Sequence, residues 1–308
     1  MTASKLVPGL PRTIRAGHRT PARTPWMFLA PFLIFFVLFT VYPLVKSLVL
    51  AGQQTFGAGN ARFVGLANFR AIVADPLFWT ALANTTLFAL GSVLIQLPIS
   101  LGLALLLERP GVRGRSWFRL ILFSPSLVGV VFASMIFGLI LEKRTGLLNT
   151  LLHKLFGFNL DYAWLQDHIM GALIVSALWM YVGFNMVFFS AALQNVRREL
   201  IEASTVDGAG PLSRFRHVVV PAIRPVAGFV VLLSVIGSFQ LFELPYLMLF
   251  NTAGAGNRGL TVVMYLYQTG FETGDLGYAS AIGWVLSLIL IACAVAQRAL
   301  SRGEEVEG

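Results

Sequence analysis

Charge is scarce in this sequence. Asp, Glu, Lys and Arg make up 12% of its 308 residues, whereas 56% are hydrophobic. An ordinary soluble domain carries roughly 25% charged residues, so this chain lacks the polar surface to stay in water. Cysteine is nearly absent as well: Cys293 stands alone and excludes an internal disulfide or a thiolate cluster. The four histidines, His18, His153, His168 and His217, are too scattered for a metal cluster, and no H-E-x-x-H occurs. There is no G-x-x-x-x-G-K-[ST] phosphate loop, so the chain has no Walker-A site for ATP hydrolysis. G-x-S-x-G is missing too.

Long apolar runs fill the space. Trp26–Ala51, Thr80–Leu107, Phe118–Leu141, Ile169–Leu193, Val226–Phe250 and Leu276–Ala296 each reach the about 20 residues that cross a bilayer as a helix. Backbone groups in lipid must bond within their own segment, and the strand-sized alternation of a membrane barrel is absent. The expected fold is all-α: a polytopic membrane protein with six transmembrane helices. The formal charge of +9 does not indicate nucleic acid, because its distribution is a topology signal. With the N-terminus inside, sixteen Lys/Arg fall on inner segments. Six fall on outer loops: Arg62, Arg70, Lys143, Arg144, Lys154 and Arg258. The positive-inside rule therefore places both termini in the cytoplasm.

The domains expected are a disordered, Pro- and Arg-rich tail over 1–25, a membrane domain over 26–300 and a short cytoplasmic tail over 301–308. The basic leader of the first run lacks an A-x-A cleavage site, which predicts an uncleaved anchor. Within the domain, Tyr42-Pro43 predicts a bend in the first helix, and Gly52–Phe78 an amphipathic patch along the membrane surface. Helix two is expected from about Asn84, through Gln96 and Pro98, to Glu108. Pro125 in helix three frees carbonyls that something must satisfy. LLNTLLHKLFGF predicts a surface helix. Small and polar stripes run along helix four (Ser176, Tyr181, Gly183, Asn185) and helix five (Ser234, Gly237, Ser238, Gln240). Taken alone, these stripes suit helix packing or a hydrated pathway equally. Gly277, Ala279, Ser280, Ala281 and Gly283 in helix six predict close packing. Lys46 and Glu243 are expected near outer helix ends, leaving the midplane without the ionisable groups of an ion-coupled carrier. Coupling energy is then expected to enter from outside the chain.

One polar segment is placed to receive it: Gln194–Pro221, QNVRRELIEASTVDGAGPLSRFRHVVVP. Asn195 is expected to cap a helix over Val196–Val206, with Val196, Leu200, Ala203 and Ser204 on one face. Asp207-Gly208 stops that helix, and Pro211 opens another carrying Leu212, Phe215 and Val219. Small residues at the bend permit close approach by another surface, and Glu202 projects beside them. A solvated connector with ordinary caps fits the same residues.

EASTVDGAGPLSRFRHVVVP resembles the Glu-Ala-Ala loop of the membrane subunits of bacterial ABC importers. Glu202 and Ala203 match that pattern, Gly208 follows at its spacing, and Pro221 closes it. Ser204, Val218 and Val220 are mild departures. DGAGP is similar to the maltose-type permeases of the carbohydrate-uptake family, as are FVGLANF, ALANTTLF, SALWMYVGFNM, FELPYLM and LGYASAIGWVLSL. The resemblance implies a coupling loop seated on a cytoplasmic ATPase, with Glu202 pairing a basic group. Ala203 and Ser204 would give close contact, and Asp207 and Gly208 the bend. It also implies a solute pocket at Ala177, Met180, Tyr181, Phe184, Ser234, Gly237, Ser238 and Leu241, where several substitutions depart from maltose permease itself.

The partners so implied are a second homologous permease subunit, two ATPase subunits and an extracytoplasmic binding protein, besides sugar and membrane lipid. No cofactor is expected on this chain, since ATP and Mg would belong to the ATPase. The function implied is a non-catalytic permease subunit for sugar or oligosaccharide import. Glycerol phosphate or another polar solute is the rival within transporters, and a membrane enzyme or channel the rival outside them.

Overall fold

The computed structural model describes residues 24–55, 61–109, 111–158 and 160–302. The expected tails over 1–25 and 301–308 lie outside these residues, except that helical backbone begins at Thr24 and ends at Arg302. The chain divides between Ser47 and Leu48 into two compact units.

In the first unit an apolar helix starts at Thr24 and widens into a π-turn over Val37–Val41. Phe32 stacks on Phe36, and Phe35 on Phe39. The expected irregularity at Tyr42-Pro43 takes the form of this π-turn. Two further π-turns, Ser92–Gln96 and Phe215–Val219, stand in the same relation to Pro98 and Pro221. In each, the residue before the proline donates its N–H five residues back: Tyr42 to Val37, Leu97 to Ser92 and Val220 to Phe215. A proline in a helix has no N–H and crowds the carbonyl four residues back. Widening the preceding turn relieves that crowding and keeps the helix continuous.

Across the described residues five helices are long and apolar enough to span a bilayer: Trp26–Ala51, Pro76–Leu107, Ile169–Gln194, Pro211–Phe239 and Leu276–Ala299. A sixth apolar segment, here span three, is broken into Arg115–Leu127 and Val130–Ile140, which meet at 95°. The expected span over Phe118–Leu141 is thus broken rather than merely bent, in the segment that Pro125 marks. Pro125 removes the bond to Ile121, whose carbonyl instead accepts from Ser124 Oγ at 3.0 Å. Ser126 Oγ likewise donates to the Phe123 carbonyl at 2.7 Å. The freed backbone is satisfied from within the kink.

Span five departs from expectation in the same way. It does not run from Val226 to Phe250. It begins at Pro211 in the polar loop, ends at Phe239, and gives way to a short helix over Glu243–Met248. Pro245 cannot donate to Leu241, whose carbonyl accepts from Thr261 Oγ1 at 2.6 Å. Span two starts earlier than expected: Pro76 occupies its first turn, and the Asp75 carboxylate accepts from Leu77 N–H at 2.9 Å. Asn84, expected near the start, sits mid-helix and donates to the Asn257 and Leu260 carbonyls. The expected surface patch before it folds into a two-residue strand pair, Gln53–Gln54 with Arg62–Phe63, and a helix over Ala67–Ala74. The expected surface helix of LLNTLLHKLF appears as Leu147–Phe156.

Small residues set the distances between spans. A Cβ at Gly183 of span four would lie 1.7 Å from the Leu122 carbonyl oxygen of span three. One at Gly277 of span six would lie 2.0 Å from the Gln53 carbonyl oxygen. Ser100 Oγ of span two donates to the Val182 carbonyl of span four at 3.0 Å. Where spans two, three and four end in polar loops, Glu108 pairs with Arg115 and Arg119 and accepts from Gln194.

Candidate functional site

The breaks in spans three and five, and the π-turn in span two, border one cavity of about 500 Å³. All eight residues of the expected solute pocket line it: Ala177, Met180, Tyr181 and Phe184 from span four, and Ser234, Gly237, Ser238 and Leu241 from span five. Met180 and Ala177 form an enclosed floor at 1% and 2% exposure, whereas Tyr181 and Phe184 stand open at 37% and 40%. Phe184 lies edge-on to Phe188, their centroids 5.1 Å apart. The arrangement combines aromatic faces with hydroxyl and amide groups, the chemistry of a pocket for a polar organic solute.

Several lining residues were not among those expected. Span two contributes Phe88, Ser92 and Gln96, span three contributes Val130, and Val263 closes one side. Asn185 and Gln240, seen in sequence only as parts of polar stripes, border the cavity too. So does Glu243, which was expected near an outer helix end. The break at Gln240–Phe242 brings it back to the rim. Pro98 and Pro245 were the available signals, because each distorts the helix beside a lining residue. The lining holds no Lys, Arg or His among the described residues.

The polar loop forms the second feature. Its first helix runs Arg198–Val206, shorter than expected. Asn195 does not cap it; its side chain donates to the Ala191 carbonyl at 3.0 Å, ending span four. Arg197 takes the cap position in extended conformation without a side-chain bond. Of the expected face, Val196 is buried and Ser204 half-buried, whereas Leu200 and Ala203 are exposed. Ile201 packs on Ala192, Val196 and Ile223, while Leu200 is 49% exposed. Ser204 Oγ bonds the Ile201 carbonyl, and Glu202 and Ala203 face outward.

At the bend, Gly208 adopts φ +77°. Ala209 N–H reaches the Ser204 carbonyl at 2.9 Å and Gly208 N–H the Thr205 carbonyl at 3.1 Å. This pair of bonds is the Schellman motif, which needs a left-handed residue where Gly208 stands. Pro211 then opens the second helix, as expected. The loop leaves Val206 at 88% and Leu212 at 78% exposure. Glu202 has no ion-pair or hydrogen-bond partner among the described residues. A rigid turn thus presents apolar groups and a free carboxylate outward. The residues expected for coupling and those expected for the solute pocket form two separate groups, at the loop and within the bundle.

A bundle of apolar spans around a solute-sized cavity, with such a loop at one end, defines a membrane permease. Residues 96–305 match the family of binding-protein-dependent transport system inner membrane components, and the chain belongs to that family. It is 37% identical to the arabinooligosaccharides transport system permease protein AraP of Bacillus subtilis (strain 168), over 92% of this chain and 90% of that protein. It is 32% identical to the lactose transport system permease protein LacF of Rhizobium radiobacter, over 86% of this chain and 89% of that one. The fold is that of a chain in the crystal structure of a bacterial ABC transporter for import of the acidic polysaccharide alginate. The TM-score is 0.80 at 20% identity, over 90% of this chain and 94% of that one. The protein is therefore an inner-membrane permease subunit of an ABC importer, a non-catalytic transport component.

Proposed function

We propose that this permease carries a sugar or oligosaccharide through the cavity between spans two, four and five. The carrying observation is the cavity itself, where Tyr181 and Phe184 offer ring faces beside the hydroxyls of Ser234 and Ser238. Arabinooligosaccharides and lactose, for which the relatives AraP and LacF are named, support the same class. A phosphate ester is disfavoured, because the lining offers the carboxylate of Glu243 and no cationic side chain among the described residues.

In this reading the chain pairs with a second, homologous permease, and both its termini face the cytoplasm. An extracytoplasmic binding protein delivers the solute. Two ATPase subunits bind ATP and Mg and hydrolyse the nucleotide. The loop Gln194–Pro221 sits on one ATPase: Glu202 pairs with a basic group, Ala203 and Ser204 allow close contact, and Asp207-Gly208 holds the bend. Closure of the ATPase pair moves the loop, and the spans respond as rigid groups that open one end of the cavity as the other shuts. The second loop helix continues directly into span five, whose wall lines the cavity, so the push has a covalent route.

Uptake of labelled arabinooligosaccharides, lactose, maltose and glycerol 3-phosphate into proteoliposomes holding the complete complex tests the reading. Sugar uptake is expected, and uptake of glycerol 3-phosphate alone refutes it. Charge reversal by Glu202→Lys is expected to abolish ATPase stimulation by loaded binding protein in an assembled complex. Unchanged stimulation removes the coupling role.

A further inference from the structure

Four polar side chains around the cavity are buried without partners. Ser92, Gln96, Asn185 and Ser238 are between 4% and 6% exposed. None of them makes a side-chain hydrogen bond among the described residues, although other buried hydroxyls, such as those of Thr85, Ser100 and Ser176, do. Among the described residues, the side-chain atoms that are both fully enclosed and unpartnered are Arg119 Nε, Ser190 Oγ and Arg214 Nε. The polar atoms of the four are not among them, so each keeps access to open volume, and the volume each borders is this cavity. Facing the cavity and bonding nothing else in the described residues, these groups are free to donate to and accept from a solute there.

Two of the four belong to span two. Its π-turn, forced by Pro98, sets both Ser92 and Gln96 in the cavity wall, and Ser100 fastens the next turn to span four through Val182. A π-turn carries one more residue per hydrogen-bonded ring than an α-turn, and such turns recur at functional sites.

We propose that span two supplies a polar wall of the solute site, and that Gln96 and Asn185, which line the same cavity as the hydroxyls of span five, are the two amides that select among sugars. This rests on the carbohydrate reading of the cavity. An amide both donates and accepts, which suits the vicinal hydroxyls of a pyranose or furanose ring. A sugar whose hydroxyls meet both amides is favoured, and one lacking them leaves the amides unpaired.

The test uses the native complex, purified through a tag on this chain and reconstituted with its binding protein. Gln96→Met keeps the side-chain length and replaces an unpartnered amide by an apolar group. Stability is therefore expected to hold or rise. Uptake of the sugar preferred by the unsubstituted complex, among arabinooligosaccharides, lactose and maltose, is expected to fall about tenfold, with the order of preference changed. ATPase stimulation by loaded binding protein is expected to persist. Asn185→Leu provides a second, independent variant with the same expected split. If the unsubstituted complex takes up a sugar and both variants match it in rate and preference, the inference fails while the carbohydrate reading stands. A Gln96→Met complex that loses thermal stability, ATPase and uptake together overturns the inference in favour of a structural role. A complex that takes up none of the three sugars overturns the carbohydrate reading and this inference with it.

Discussion

Asp75 holds three parts of the fold together, and removing it is expected to loosen the junction of spans two and six. One carboxylate oxygen accepts from Tyr265 OH at 2.5 Å and from Tyr278 OH at 2.7 Å. The other accepts from Leu77 N–H at the start of span two. Hydrogen bonds to an ionised group contribute about 1.5–3 kcal/mol each when buried, and Asp75 is half-buried, so the lower end applies. Asp75→Ala removes both tyrosine bonds and the helix cap, itself worth about 1 kcal/mol. The expected total is about 3–5 kcal/mol. Tyr265→Phe and Tyr278→Phe are each expected to cost about 1–2 kcal/mol. The double variant is expected to exceed their sum by about 0.5–1 kcal/mol, because either hydroxyl can strengthen its bond when the other is gone.

The pH dependence follows from the same contacts. Burial pushes the Asp75 carboxyl upward, but the bonds from Tyr265, Tyr278 and Leu77 outweigh it and hold the group below its usual range. A lowered folded-state pKa means the contribution is complete above the unfolded value, near 3.9, and is lost as pH falls through the folded one. Thermal unfolding of the purified protein should therefore show the Asp75→Ala deficit in full at neutral pH and a shrinking difference in strong acid. If Asp75→Ala and both phenylalanine variants unfold with the unsubstituted protein at neutral pH, the reasoning is refuted.

Gly183→Ala places a methyl where 1.7 Å separates Cβ from the Leu122 carbonyl oxygen. Spans three and four must part by on the order of 1 Å or more to restore ordinary contact. The expected cost is about 1–3 kcal/mol, with lower uptake, since span four lines the cavity; unfolding and transport measurements check both. At Gly208 nothing lies within 4 Å of a built Cβ, so Gly208→Ala meets only the left-handed backbone. A loss of about 1 kcal/mol is expected. Gly208→Asn should lose less, because asparagine tolerates that conformation, and comparing the two melting temperatures decides it.

How much of this was legible beforehand differs from element to element. Run length and loop charge were enough to find the spans, because lipid leaves the backbone little alternative to helix. Gly208 and Pro211 were readable because a left-handed helix end and a first-turn proline are local demands. The start of span two was missed although Asp75-Pro76 is a cap followed by a first-turn proline; the polar Asn84-Thr85-Thr86 competed with it. On the inward face of the first loop helix, Leu200 was read where the structure turns Ile201 inward. Only contact with Ala192, Val196 and Ile223 decides between Ile201 and Leu200.

The sequence by itself determined an all-α membrane protein of five or six spans, the bend at Asp207-Gly208, and, through resemblance, the positions assigned to the pocket. The first two are consequences of composition, helix period and backbone chemistry that act over a few residues. The cavity's third wall was decided by tertiary structure alone. Prolines 98, 125 and 245 announce distortions in sequence but not their outcome, which is respectively a widened turn, a 95° break and an interrupted span. Which outcome follows depends on which neighbour takes the freed backbone groups: the chain's own π-bond for the first, Ser124 for the second and Thr261 for the third. Those partners, one of them 20 residues away along the chain, are what turn local strain into a site.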